Sequence, residues 1–174
     1  MEYRVWQSSP VNNACRLAVI QGYERSFELA YGISLAAVFP KDARAPMDSA
    51  KVCSKRLVEF LKARDLRHVE YLPLTIVNHK GKVASTDYFI VNPVGLVDAL
   101  DLAASKPVYN SIKKSMINRV ARVVLDPRRL DPERKVFRLT GLFHPVLIEK
   151  GLADAMAAAG LVGPYFKELE SFTG

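Results

Sequence analysis

The chain has little of what small, special-purpose folds depend on. Only two of its 174 residues are cysteine, Cys15 and Cys53. They are too few to staple a fold of this size, so reduced thiols are expected. Three histidines, His68, His79 and His144, stand in or beside turns, and none is paired at metal-ligand spacing. The sequence has no CxxC, no HExxH and no glycine-rich phosphate loop. Its closest glycine pair, Gly160 and Gly163, follows a helical pattern instead of opening one. The longest apolar stretch, Ile33 to Phe39, is interrupted by Ser34 and falls far short of the roughly 20 residues that cross a bilayer. The opening Met-Glu-Tyr-Arg-Val-Trp carries an early acid and no apolar core, which predicts no secretory signal. These absences point to a cytoplasmic protein with no membrane partner.

What is present is an ordinary globular composition. Hydrophobic residues make up 49% and charged residues 25%, which excludes a disordered or collagen-like chain. The length suits one domain or at most two small ones, and the reading is a single domain over residues 1–174. Net charge is +7, and the excess is concentrated. Between Ser111 and Arg138 nine basic residues stand against three acids, Asp126, Asp131 and Glu133. Such a run can attract phosphate backbones, acidic lipid or an acidic protein surface. The plainer alternative is a solvated face that keeps the chain soluble. No Phe, Tyr or Trp lies between Lys113 and Arg134, so the stacking platform of single-strand binders is missing.

Residues 2–6 and 15–20 read as short strands, and 27–50, punctuated by Gly32, Pro40 and Pro46, as irregular. Ser54 to Arg64 predicts a helix with Leu57, Phe60 and Leu61 on one face and Ser54 as its N-cap. Val69–Val77, the turn 78–81 and Asp87–Pro93 predict a hairpin at the centre of a sheet, buried on both faces because both arms are almost continuously apolar. Residues 109–125 suit a short helix to about Met116 and then a strand into Asp126-Pro127. Asp-Pro recurs at 131–132 and marks a loop. Residues 135–140 predict a strand, Ile148 to Ala159 a helix closed by Gly160, and 165–169 a last strand.

An echo runs through the chain at an offset of 95. Cys53, Leu57, Leu61, Leu66 and Tyr71 fall on Ile148, Leu152, Met156, Leu161 and Phe166, and Asp65 falls on Gly160. Two strand–helix–strand units of one size would produce this, as would any two amphipathic helices each followed by a strand. The fold class is α+β, mainly antiparallel, with two principal covering helices and this possible internal repeat. The echo fits a monomer and a dimer equally.

Chemistry has little material. Cys53 precedes a helix start, where a thiolate would be stabilised, but its apolar surroundings favour a buried small hydrophobe. Asp98 and Asp101 could pair, though that spacing on a short turn is usually solvated. No cofactor, metal or catalytic residue is implied.

The stretch Val69-Glu-Tyr-Leu-Pro-Leu-Thr-Ile-Val-Asn-His-Lys-Gly-Lys-Val, with Asp87-Tyr-Phe-Ile-Val-Asn-Pro running on to Asp101, resembles the MXAN-class immunity proteins of bacterial polymorphic toxin systems. Val124-Leu-Asp-Pro, Val136–Gly141, Pro145-Val-Leu-Ile and Leu152–Leu161 carry the same resemblance, which covers about residues 51 to 170. It implies a binding protein without catalysis that neutralises a cognate toxin encoded by a neighbouring gene. Asp87, Tyr88 and Asn92 would then shape a strand, and Asn92-Pro93 either ends it, the favoured reading, or touches the toxin. A chain at +7 should prefer a toxin acidic on the contacted face, which disfavours a nuclease. The residues selected by exposure and charge as toxin-binding are His79, Lys80 and Lys82 at the hairpin tip and Arg128, Arg129 and Arg134 in the basic loop. The alternative is a small basic nucleic-acid-binding or regulatory protein using residues 111–138.

Overall fold

The computed structural model describes residues 1–8, 19–22, 43–44, 51–77 and 83–172. Residues 15–18 of the second expected strand, nearly all of 27–50, and the tip 78–82 with His79, Lys80 and Lys82 lie outside the described residues. The chain begins with β1 (Tyr3–Ser8), β2 (Val19–Gly22) and β3 (Ala43–Arg44). Next come β4 (Lys51–Ser54), helix α1 (Lys55–Lys62), β5 (Val69–Val77), β6 (Val83–Pro93) and β7 (Leu96–Val97). A one-turn helix, α2 (Leu102–Ser105), leads to β8 (Val108–Tyr109) and β9 (Ile117–Arg119). The last part holds β10 (Val136–Leu139), β11 (Val146–Glu149), helix α3 (Lys150–Ala158) and β12 (Pro164–Glu168).

This is the α+β, mainly antiparallel class the sequence predicts, but the strands are shared out. Two compact units are present, Met1–Ser9 with Gly95–Gly174 and Pro10–Val94. The first holds a sheet ordered β12-β1-β11-β10-β7, in which only β7 and β10 run parallel. It also holds the two-stranded ribbon β8-β9. The second holds β3-β2-β5-β6-β4, antiparallel throughout.

The sequence echo has a counterpart in this topology. β4, α1 and β5 begin at residues 51, 55 and 69, while β11, α3 and β12 begin at 146, 150 and 164, each 95 further on. In each unit the strands before and after the helix pair antiparallel with one strand between them, β6 in one case and β1 in the other. The register agrees too. Val52 and Leu72 flank Ile90, and their counterparts Leu147 and Lys167 flank Val5. Each helix also buries the same three positions, Leu57, Val58 and Leu61 in α1 and Leu152, Ala153 and Met156 in α3. Asp65 and Gly160, which follow the helices, both take positive φ, 45° and 62°.

Three expectations change. The second helix starts at Lys150, not at Ile148, which is buried in β11; the Glu149 side chain caps the helix and sets the boundary. The β5–β6 hairpin is interior to its sheet, but it alternates where both faces were expected to be buried. Leu72 and Leu74 are buried while Pro73 between them is exposed, and among the described residues of the hairpin a continuous buried run appears at Ile90–Pro93. Residues 109–116 form no helix. Asn110 Oδ1 accepts from the amides of Ile112 at 2.9 Å and Lys113 at 2.8 Å, and this local turn takes the backbone groups a helix would use. Val120 and Val123, expected in a strand, are buried in irregular chain, and Leu125 makes a single bridge to Leu100.

The core of the first unit gathers Val5, Leu139, Leu142 and Leu147 around Phe137, which meets Tyr3 edge-on at 5.2 Å between ring centroids. Val120 and Ile117 join the same cluster. This anchors the inner side of the β8–β9 ribbon.

Candidate interaction surface

The basic loop expected to bind a partner begins where β10's unit turns through a 3₁₀ segment, Pro127–Arg129. Asp126 caps that turn, accepting from the Arg128 amide at 3.1 Å. The Arg128 guanidinium then folds back onto the same carboxylate, Nε to Oδ1 at 3.0 Å and Nη2 to Oδ2 at 2.9 Å. These hydrogen bonds, side chain first and backbone second, hold the Asp126 carboxyl down at about 2. Arg129 reaches Asp126 at 3.6 Å and Asp98 at 3.3 Å. Arg134 is half-buried, its guanidinium lying where a side chain at Gly95 would go: a Cβ there would come within 3.1 Å of Nη1, and Gly95 has φ +78°. The loop is therefore basic in composition and largely paired in space.

The nine-cation run 111–138 does not make one face. Arg138 is fully buried in β10, where burial pulls its pKa down to about 10. A guanidinium enclosed by a strand core does not meet a phosphate backbone, so the structure weakens the nucleic-acid alternative for this segment.

The ribbon β8–β9, which carries the first part of that run, is different. From Lys106 to Arg122 the sequence has five cations and no acid. Among the described residues Lys106, Lys114 and Arg119 form no ion pair. Arg122 Nε donates to the Ala104 carbonyl at 3.3 Å. Between the cations stand exposed apolar side chains: Ile112 is 93% exposed, Val108 47% and Tyr109 45%. The tip is built firmly. Besides the two amides held by its Oδ1, Asn110 donates its side-chain amide to Asn118 Oδ1 at 3.0 Å, and its backbone N–H bonds Met116 O at 2.8 Å. Gly141, at φ +79°, accepts from the Ile117 amide at 2.8 Å, and a Cβ on it would lie 3.4 Å from both Ile117 Cδ1 and Ser115 O. The absence of acids from 106 to 122 was legible in the sequence; the exposure of Ile112 was not, because a helix would have given it a buried face.

Other sequence candidates have structural roles. Asp101 Oδ1 accepts from the Ala104 amide at 3.0 Å, capping α2, while Asp98 is engaged by Arg129. Cys53 is buried in β4 and desolvation pushes its thiol up to about 12, the state of an inert hydrophobe and not of a nucleophile. Asn92 is fully buried at the end of β6 and donates to Glu70 Oε1 across the hairpin at 2.6 Å. β6 itself ends at Pro93. Ser54 stands at the N-cap of α1, but its side chain makes no capping hydrogen bond.

Hollows open on the described surface. One, of about 450 Å³, is lined by Tyr3, Leu125, Leu130, Glu168 and Leu169 among others. A wider one, of about 640 Å³, lies beside the start of α1 against Lys55, Arg56, Asp87 and Tyr88. Among the described residues no three His, Cys, Asp or Glu side chains gather as a metal site, and no helix is long and apolar enough to cross a membrane.

No curated protein matches the chain. A family model described as "Immunity protein family (Imm11)" matches residues 22–171 and so runs through both units. With most of its length covered by that match, the chain belongs to the Imm11 immunity protein family.

Proposed function

We propose that this protein binds a cognate toxin in the cytoplasm and neutralises it by occlusion, without catalysis, the whole chain 1–174 serving as one immunity domain. Membership of an immunity family carries this reading. The toxin is the product of a neighbouring gene, and the face it offers is acidic. Net charge +7 supports that complementarity, because opposite potentials accelerate capture and fix orientation. The candidate contacts chosen by charge are Arg128, Arg129 and Arg134, together with His79, Lys80 and Lys82. An antidote must keep free toxin scarce, which calls for a Kd near nanomolar, about −12 kcal/mol. Such affinity commonly accompanies about 1,600 Å² of total buried surface with a few central anchors.

Co-expression with the product of the adjacent reading frame tests the proposal. Cells carrying both genes should grow and the two proteins should co-purify. Toxicity that persists, with no co-purification, overturns it.

A further inference from the structure

We infer that the β8–β9 ribbon is the part of this surface that enters the partner, with Ile112 and Tyr109 seated in an apolar recess whose rim is acidic. The inference rests on the immunity reading and commits to the cognate toxin as occupant. Three observations carry it. First, the ribbon's charge is of one sign: no acid lies between Lys106 and Arg122, whereas Arg128 and Arg129 already satisfy Asp126 and Asp98. A cation that is not already neutralised gives more to a partner than one that must first be pulled from its own carboxylate.

Second, the ribbon exposes apolar area at its tip while its inner side is fixed. Ile112 is turned outward, yet Ile117 and Val120 are buried in the core. Third, the tip is held by its own hydrogen bonds through Asn110. A preorganised tip loses less conformational freedom on docking than a floppy one. The exposed isoleucine also chooses between classes of partner. Nucleic acid takes an isoleucine only by unstacking a base step, at the cost of the stacking it breaks, and one exposed Ile with one half-exposed Tyr gives far less apolar area than the single acyl chain that by itself anchors only marginally to a membrane. A protein pocket with an acidic rim satisfies both features.

The test uses the full chain and the purified product of the adjacent reading frame. Ile112→Asp should weaken binding about 10- to 100-fold, mainly through faster dissociation. The pair Lys114→Glu with Arg119→Glu should slow association about tenfold at low salt and flatten its salt dependence. Lys55→Glu with Lys135→Glu changes net charge equally at exposed residues outside the ribbon and should alter association no more than about threefold. Thermal melts confirm that each variant folds; if Ile112→Asp melts early, the charge pair provides the reading by itself. Wild-type affinity in the ribbon variants, with the wild-type chain still protecting cells, overturns the ribbon and leaves the immunity function standing. A wild-type chain that neither binds nor protects removes both. If the charge pair releases a duplex RNA or a phosphatidylserine vesicle while the toxin is held as before, the ribbon serves that other partner and the inference falls.

Discussion

The two strand–helix–strand units reach one arrangement by different routes. In the 51–93 unit the strand between β4 and β5 is β6, which follows them in the chain; in the other, the strand between β11 and β12 is β1, which precedes them by more than a hundred residues. The buried helix positions coincide and so does the strand register. The caps do not. Glu149 accepts from the amides of Gly151 at 3.1 Å and Leu152 at 3.0 Å, whereas its counterpart Ser54 makes no capping bond. What is common to both is therefore the pairing and the apolar helix face, so these specify the unit. Chain order and capping are free to vary around them.

The largest effects should come from the shared buried positions. Leu61 and Met156 are equivalent and both fully buried. Leu61→Ala and Met156→Ala should each destabilise by about 2–5 kcal/mol, since the side chain's transfer energy is lost and a cavity is left. The exchange Leu61→Met with Met156→Leu should cost under about 1.5 kcal/mol per site, because volume and burial are kept. Denaturant unfolding reads both. One alanine variant that is severe beside another that is silent would show that the two helices do not share a role.

A smaller effect separates the caps. Glu149→Ala removes a carboxylate from two helix amides and should cost about 1 kcal/mol. Ser54→Ala should change stability by no more than a few tenths, well inside the roughly ±0.5 kcal/mol of an uncommitted surface site. Equal losses would mean that Ser54 caps α1 in solution and that the units are more alike than the structure shows.

Much of this was legible because periodicity and turn chemistry are local. The strand Val69–Val77 and the helix face at Leu57 and Leu61 follow from residue spacing alone, and the offset of 95 led to a duplicated topology. What escaped the sequence was decided by contacts at a distance or by side chains competing for backbone. Residues 112 to 123 have helix-like spacing, yet Asn110 claims the amides that would start the helix, and Val120 and Val123 are buried as irregular chain. The same holds for the candidate surface. Counting cations singled out Arg128 and Arg129, but Asp98 lies 31 residues from Arg129 in sequence and 3.3 Å from it in space. Pairing of that kind leaves no trace in composition.

The finest distinction between the units is a single oxygen. Tyr71 occupies the position that Phe166 holds in the other unit, and the Tyr71 hydroxyl is buried with no hydrogen-bond partner among the described residues. Its ring lies under the Lys62 ammonium, 5.4 Å from Nζ to the centroid, a contact that phenylalanine preserves. A buried hydroxyl without a partner loses its hydration and gains nothing in return. Tyr71→Phe should therefore hold stability or raise it by up to about 1 kcal/mol, making this position the same in both units. The ionisation supplies a second reading. Desolvation pushes the Tyr71 hydroxyl from the ordinary 10.0 up to about 12, so the native state stays neutral where the unfolded chain already ionises. Stability from this source is whole below pH 10.0, declines above it and is lost as pH rises through about 12. Tyr71→Phe should flatten that part of the alkaline decline and remove one late-titrating tyrosine from the ultraviolet absorbance titration. A loss of more than about 1 kcal/mol in the variant would mean that the hydroxyl is bonded, because a typical hydrogen bond contributes that much, and the two positions would then differ in function as well as in composition.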